Sequence, residues 1–381
     1  MNAKKICYVV TIPLTIRAFF MPQLKYLAQN GFDVSVICSQ DDKLAEDLGN
    51  GIHYISVDVP RGISLGGSIK AVKELINIFK REKFELIQYS TPNAALYASI
   101  AARAVGCKIR NYHLMGFRYL GAHGMGKLIL KFIEKVSCWN STSIECVSKS
   151  NLELGIKEKV FPAKKATVVW NGSTGGVDLE RFSYSKRVIW RNELRDELGY
   201  EESDFIYGFI GRITRDKGIN ELLEAFFRLE NGSKLFLIGN IEDEDTLEQN
   251  LWTKAKNHPN VLIHTATADI ERYFAMIDVL VLPSYREGFG NVVIEAAAVG
   301  TPAIVSNIPG PIDTIDVGKT ALTVEVKNST ALMKAMRQLK EMNPNEMGIK
   351  AAQFAERNFD SRKLCDKILE RKQELFGKEI K

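Results

Sequence analysis

The chain has 381 residues, of which 45% are hydrophobic and 25% charged, and a formal net charge of +5. That length is too great for one ordinary core and suits two domains of roughly 150–200 residues each, while the composition excludes collagen-like, low-complexity and disulfide-scaffold chains. Charge is uneven, +8 over residues 1–180 and −3 over residues 181–381, so an anionic partner is expected at the N-terminal half; nucleic acid is disfavoured, because the basic stretch carries no interleaved aromatic platforms.

Lys4 and Lys5 before the apolar run 6–16 imitate a signal peptide, but Arg17 follows at once and no small-x-small cleavage site appears, so a buried first strand is expected. Short β-branched runs at 6–10, 34–38, 52–57, 86–89, 109–113 and 144–148 alternate with segments of helical period, the pattern of a parallel sheet covered on both faces. The first covering helix is predicted over 19–30, with Pro22 in its opening turn, Leu24, Leu27 and Ala28 inward and Gly31 closing it. Residues 103–135 hold seven Lys or Arg and one acid, Glu134. Within 126–138, Leu128, Ile129, Phe132, Ile133 and Val136 recur at helical spacing beside a Lys127, Lys131, Lys135 ladder; such a helix either packs in the core or rests on an anionic bilayer. Nowhere do about 18 apolar residues run together to cross one.

Three glycines in NGSTGGVD place a domain join near 171–182. The alternation then restarts, with strands expected at 205–210, 234–238, 261–264, 279–282 and 302–305, and a last amphipathic helix at 361–375 carrying Leu364, Ile368 and Leu375 on one side. The fold class is therefore α/β: two doubly wound, Rossmann-like parallel-sheet domains facing across a cleft, where ligands bind at strand carboxyl ends. The six cysteines, 7, 38, 107, 138, 146 and 365, have no C-x-x-C spacing and sit mostly in apolar runs, as free buried thiols of a reducing compartment do. No metal site is expected.

Two strand-to-helix loops could carry chemistry. GRITRDKG at 211–218 combines two glycines, which let the backbone approach a ligand, with the cations Arg212 and Lys217 that a diphosphate requires. PSYREGFGNVVIE at 283–295 leads into a helix near Gly290, where Gly288, Phe289, Gly290 and Asn291 would offer backbone N–H groups to phosphate. Its carboxylates Glu287 and Glu295, eight positions apart, each suit a pair of sugar hydroxyls. Either glutamate alone could equally serve a helix dipole or a salt bridge. His113 closes an apolar strand at its carboxyl end, where a cleft-lining residue belongs, although a lone histidine is more often structural.

Glu287 to Glu295, with GFGN between them and LPS before, resembles the E-x7-E motif of family-4 retaining glycosyltransferases of the GT-B fold. GRITRDKG resembles the same family's diphosphate loop, and VSKS at 147–150, NGSTGGVDLERF at 171–182 and YHLMGFRY at 112–119 extend the likeness over nearly the whole chain. It is closest to enzymes that assemble capsule, O-antigen and other lipid-linked glycans. The resemblance implies an acceptor domain at residues 1–178, a nucleotide-sugar domain at 179–358, and a helix at 359–381 crossing back to the first. It implies that Glu295 holds the ribose, Glu287 the transferred sugar, Arg212 and Lys217 the diphosphate, and that His113 lies near the donor sugar. The expected activity is retaining, metal-independent transfer of a hexose or N-acetylhexosamine from a nucleotide-diphosphate donor, a UDP-sugar, to a polyprenyl-diphosphate-linked saccharide. It would occur in the cytoplasm at the inner membrane face, with no cofactor beyond the sugar nucleotide. One departure is the first loop, TIPLT at 11–15, which lacks the glycines many members carry; Thr11, Thr15, Arg17 and Arg118 are therefore acceptor or loop candidates. Competing readings are a sugar-nucleotide epimerase, a glycan phosphorylase and a non-catalytic nucleotide-sugar sensor.

Overall fold

A computed structural model describes residues 3–60, 65–229, 232–242 and 244–377. The chain divides into two compact units, Met1–Gly175 with Ser361–Lys381, and Gly176–Asp360.

In the first unit seven parallel strands follow the order β3-β2-β1-β4-β5-β6-β7: β1 Lys4–Val9, β2 Phe32–Cys38, β3 Ile52–Ser56, β4 Leu86–Tyr89, β5 Ile109–Leu114, β6 Ser143–Cys146 and β7 Ala166–Thr167. Side chains alternate between the faces. Cys7, Val9, Ile87, Tyr89 and Tyr112 enter one core with the helices Leu65–Glu82 and Pro92–Ala104. Ile6, Tyr8, Val10, Val34, Leu86 and Ile109 enter the other, under Leu24 and Leu27 of the helix Met21–Gln29 and Leu364, Ile368 and Leu375 of the terminal helix Ser361–Gly377. Lys4 and Lys5 thus open a central strand, and all six cysteines are buried free thiols.

The stretch 11–15 is not the loop expected. Ile12 is extended and Pro13 already occupies the first helical position, where its missing N–H and fixed φ cost nothing. A wide turn, Ile16–Phe20, leads on into Met21–Gln29. The chain therefore turns without a glycine.

The second unit has six parallel strands in the order β10-β9-β8-β11-β12-β13: β8 Ile206–Ile210, β9 Lys234–Ile238, β10 Val261–His264, β11 Val279–Leu282, β12 Ala303–Ser306 and β13 Ala321–Val324. Strand order reverses between β1 and β4 in one sheet and between β8 and β11 in the other. At such a switch point the two flanking connections leave toward opposite faces and open a crevice at the strand ends. Among the described residues no helix is long and apolar enough to cross a membrane.

Candidate active site

GRITRDKG follows β8 and PSYREGFG follows β11, so the two motifs flank the switch point of the second sheet. They are also locked together. Gly218 has φ +73°, and a Cβ there would lie 2.2 Å from the Pro283 carbonyl oxygen, so only glycine allows this approach. The Tyr285 amide donates to the Asp216 carbonyl at 2.8 Å, and Arg286 pairs with the Asp216 carboxylate at 2.8 Å. Across the seam the Lys217 ammonium contacts Glu287 Oε1 at 2.5 Å, with both side chains 15% exposed, and the Ser284 hydroxyl donates to the same oxygen at 2.9 Å. A cation and a carboxylate taken from different loops thus become one unit, largely withdrawn from water, where electrostatic contacts are stronger than at the surface.

Arg212 is different: its guanidinium, 53% exposed, donates to Glu242 at 2.7 Å. That pair, then the charges of Asp216 and Glu287, raise its pKa against burial. The helix Asn291–Ala298 begins directly after Gly290, whose φ of +102° makes the turn into it, and its N-terminus carries the partial positive charge of the helix dipole. Glu295, in its second turn, is pushed up to about 7 by burial, against the pull of Arg181. A carboxyl so poised accepts hydrogen bonds once ionised and is expensive to ionise alone.

The first unit holds a polar cluster on the sheet face covered by the terminal helix. His113 Nε2 lies 3.0 Å from Thr174 Oγ1, its ring edge packs on Phe20 with centroids 5.4 Å apart, and Nδ1 is 4.0 Å from Glu145 Oε2. Burial draws the imidazole down to about 4, against the raising effect of Glu145, so it is neutral at ordinary pH. At the first switch point, Thr11 and Thr91 join hydroxyls at 2.7 Å. Thr91 has φ +66°, a left-handed conformation costly for a β-branched residue and found preferentially at functional positions.

Two family models cover most of the chain: "Glycosyl transferase 4-like" matches residues 5–148 and "Glycosyl transferases group 1" matches residues 191–358. The capsular polysaccharide biosynthesis glycosyltransferase CapM of Staphylococcus aureus is 30% identical over 343 residues, 89% of this chain and 88% of CapM. The chain is a glycosyltransferase of this family. An Escherichia coli relative described as a UDP-Gal:alpha-D-GlcNAc-diphosphoundecaprenol alpha-1,3-galactosyltransferase is 28% identical over 317 residues, 80% of either chain. Anabaena HepE, solved in complex with UDP and glucose, superposes with a TM-score of 0.80 at 18% identity, over 97% of this chain and all of HepE. The transferase therefore has the GT-B fold, and it is similar to an enzyme of capsule assembly.

Of the residues singled out from sequence, the transferase brings Lys217 and Glu287 to one seam, places Gly288, Phe289 and Gly290 in the turn that follows, and sets Asn291 and Glu295 in the helix that leaves it. Arg17, an acceptor candidate, has its fork filled: both terminal nitrogens meet Asp41 at 2.8 Å and Nε meets Asp47 at 2.6 Å. Thr15 is buried inside the first helical turn. Arg118 stands exposed on a short turn, Arg118–Gly121. Ser284, Asp216, Arg286, Thr91, Thr174 and Glu145 escaped sequence reading. Ser284, Arg286 and Asp216 lie within the two loop motifs and Thr174 within NGSTGGVDLERF, a signal that could have found them, whereas Thr91 and Glu145 carried none.

Proposed function

We propose that this transferase moves a hexose or N-acetylhexosamine from a UDP-sugar, with retention and without a metal, to a polyprenyl-diphosphate-linked saccharide. The observation that carries the reading is the Lys217–Glu287 pair, set at the switch point beside a helix N-terminus. The named substrates of the Escherichia coli relative and the ligands of HepE support the choice of nucleotide and acceptor. Glu295 takes the ribose hydroxyls and Glu287 the transferred sugar. Lys217, Arg212 and the N–H groups of Gly288 to Asn291 take the diphosphate, so a divalent cation is not needed to neutralise it. His113 is assigned to the sugar, Thr11 and Arg118 to the acceptor; Thr15 and Arg17 are engaged elsewhere.

Retention follows if the acceptor hydroxyl attacks the face from which the diphosphate departs. The new C1–O bond forms as the C1–O bond to phosphate breaks, and the hydroxyl proton passes to the departing phosphate oxygen. Charge growing on that oxygen is met by Lys217 and the helix N-terminus, the electrostatic contribution that usually dominates.

Thermal unfolding in EDTA tests this directly. UDP at 100 times its dissociation constant is expected to stabilise the protein by ~2.7 kcal/mol, with no such effect in Glu295→Ala. Stabilisation by inorganic phosphate alone would instead indicate a phosphorylase, and none by any nucleoside diphosphate removes the donor site altogether.

A membrane surface is the proposed place of action, supported by the helix Gly124–Asn140. Its buried positions are polar, namely Glu134, Ser137 and Asn140 besides Cys138, whereas Met125, Leu128, Ile129, Phe132 and Trp139 are exposed, Phe132 by 66%. At 100° per residue these five share one stripe along a helix about 25 Å long. The apolar stripe expected from sequence is thereby split: Leu128, Ile129 and Phe132 are exposed, whereas Ile133 and Val136 are half-buried and neighbouring Leu130 packs on the core. The lysine ladder is also altered: Lys131 pairs with Glu158 at 2.6 Å, and of the two exposed lysines Lys135 flanks the stripe, as suits an anionic interface, while Lys127 lies on the far side of the helix. Inserting each apolar side chain contributes ~1.5–3 kcal/mol. The double change Leu128→Ser, Phe132→Ser should therefore cut partitioning onto phosphatidylglycerol vesicles by two orders of magnitude or more, read by flotation; unchanged partitioning refutes the membrane assignment.

A further inference from the structure

Lys372 is a lysine with almost no access to water, 1% exposed, on a helix whose other inward residues are apolar. Its ammonium donates to both oxygens of Glu145, at 2.9 and 3.2 Å, and to Gln88 Oε1 at 2.6 Å. Gln88 in turn accepts from Asn111 at 2.8 Å. Arg371, the preceding residue, reaches Glu145 at 3.3 Å and the Ser143 hydroxyl at 2.9 Å while pairing outward with Glu374. Gln88, Asn111, His113, Ser143 and Glu145 stand on three adjacent strands, two residues apart where they share one, so they line a single face of the sheet.

A buried ion pair brings little stability over an apolar pair of equal volume, since desolvation offsets the attraction. Its retention here therefore calls for another account, and the neighbour that supplies one is His113, whose Nδ1 lies 4.0 Å from Glu145. A carboxylate on that side favours the tautomer carrying its proton on Nδ1 and leaves Nε2 to accept from the Thr174 hydroxyl, 3.0 Å away. We propose that Lys372 and Glu145 are positioning residues for His113, so that the last helix of the chain takes part in sugar transfer by holding the imidazole in one orientation and tautomer. This rests on the assignment of His113 to the transferred sugar.

The charges around the imidazole are few. Glu145 comes from β6, and Lys372 and Arg371 come from the terminal helix. From β1, Tyr8 is held neutral by burial, and the turn Ile16–Phe20 and the segment before the second unit contribute Phe20 and Thr174. Burial works to raise the Glu145 carboxyl, but Lys372, Arg371 and His113 together bring it down to about 2, and Arg371 still faces it when Lys372 is removed. Removing the ammonium alone then leaves a buried anion facing the ring with less compensation.

The chain has five histidines, few enough to assign by NMR on 15N-histidine-labelled protein. In the wild type His113 is expected to stay neutral and Nδ1-protonated down to pH 5. In Lys372→Met its midpoint should rise by about one unit or more, and in Glu145→Gln the tautomer preference should be lost. UDP release from UDP-glucose or UDP-galactose should fall about tenfold or more in Lys372→Met while donor KM changes less than about threefold, and Lys372→Arg should recover part of it. Should Lys372→Met not fold, the double variant Glu145→Gln, Lys372→Met removes both charges and is read the same way. A folded single or double variant with wild-type His113 titration, tautomer and turnover overturns the proposal. Unchanged turnover in His113→Ala overturns instead the sugar assignment on which it depends, and His113 NMR separates the two failures.

Discussion

Lys217→Ala is expected to lower turnover by about 10²–10³-fold, the usual cost of removing one preorganised group that meets charge developing in the transition state. Its ammonium is largely withdrawn from solvent and fixed by Glu287, so no water reorganises as the diphosphate departs. Arg212→Ala should cost far less, because that guanidinium is half exposed and already spends a donor on Glu242, where screening leaves surface pairs little net effect. The contrast is the useful part of the experiment. Steady-state kinetics on both variants, each shown to be folded by its unfolding transition, should give a larger loss in kcat for Lys217 and a larger relative change in donor KM for Arg212. A ranking in the other direction would mean that Glu242 releases Arg212 when the donor binds, and that Lys217 serves chiefly to hold Glu287.

The alternation of strand and helix, and the place of both motifs at strand ends, were legible because each depends on residues near in sequence. The β-branched runs and the glycine pairs carry their own periodicity and turn chemistry. What could not be read depended on pairing at a distance. Lys372 and Glu145 are 227 positions apart, and nothing in the spacing of a charged terminal helix says that one of its lysines is buried. Helix 124–140 shows another limit: apolar periodicity gives a stripe but not how much of it packs, so that Leu130 meets the core while Leu128, Ile129 and Phe132 stay exposed, and Glu134, Ser137 and Asn140 are polar residues whose burial no pattern announces. Arg17 was read as available because its partners Asp41 and Asp47 lie beyond the next strand. The missing glycines of the first loop were a true departure with a plain cause, since Pro13 starts the helix at once.

UDP-glucose binding is expected to release a proton near pH 6, and affinity should rise by up to about tenfold per pH unit up to pH 7 and then level off. The group responsible is Glu295. In the unliganded protein burial holds it at about 7, above the 4.5 of a free glutamate, with Arg181 opposing. Between those values the folded chain keeps a proton the unfolded chain has lost, so this residue's contribution to stability falls as pH rises from 4.5 to 7 and is fully unfavourable above. On the proposed assignment ribose hydroxyls reverse the balance: by donating to the carboxylate they would favour its ionised form and lower its pKa in the complex, so that the proton leaves as the donor enters. Calorimetry in buffers of different ionisation enthalpy gives the number released, and UDP-glucose is the right ligand because its diphosphate diester does not titrate in this range. Glu134, also raised to about 7 by burial against the effect of Tyr112, titrates in the same window, which makes Glu295→Gln the necessary control: every other group remains, and only the Glu295 proton is gone. Proton release that persists in Glu295→Gln assigns the linkage to another group, and a flat pH dependence in the wild type shows that the donor ribose is not held by this carboxylate.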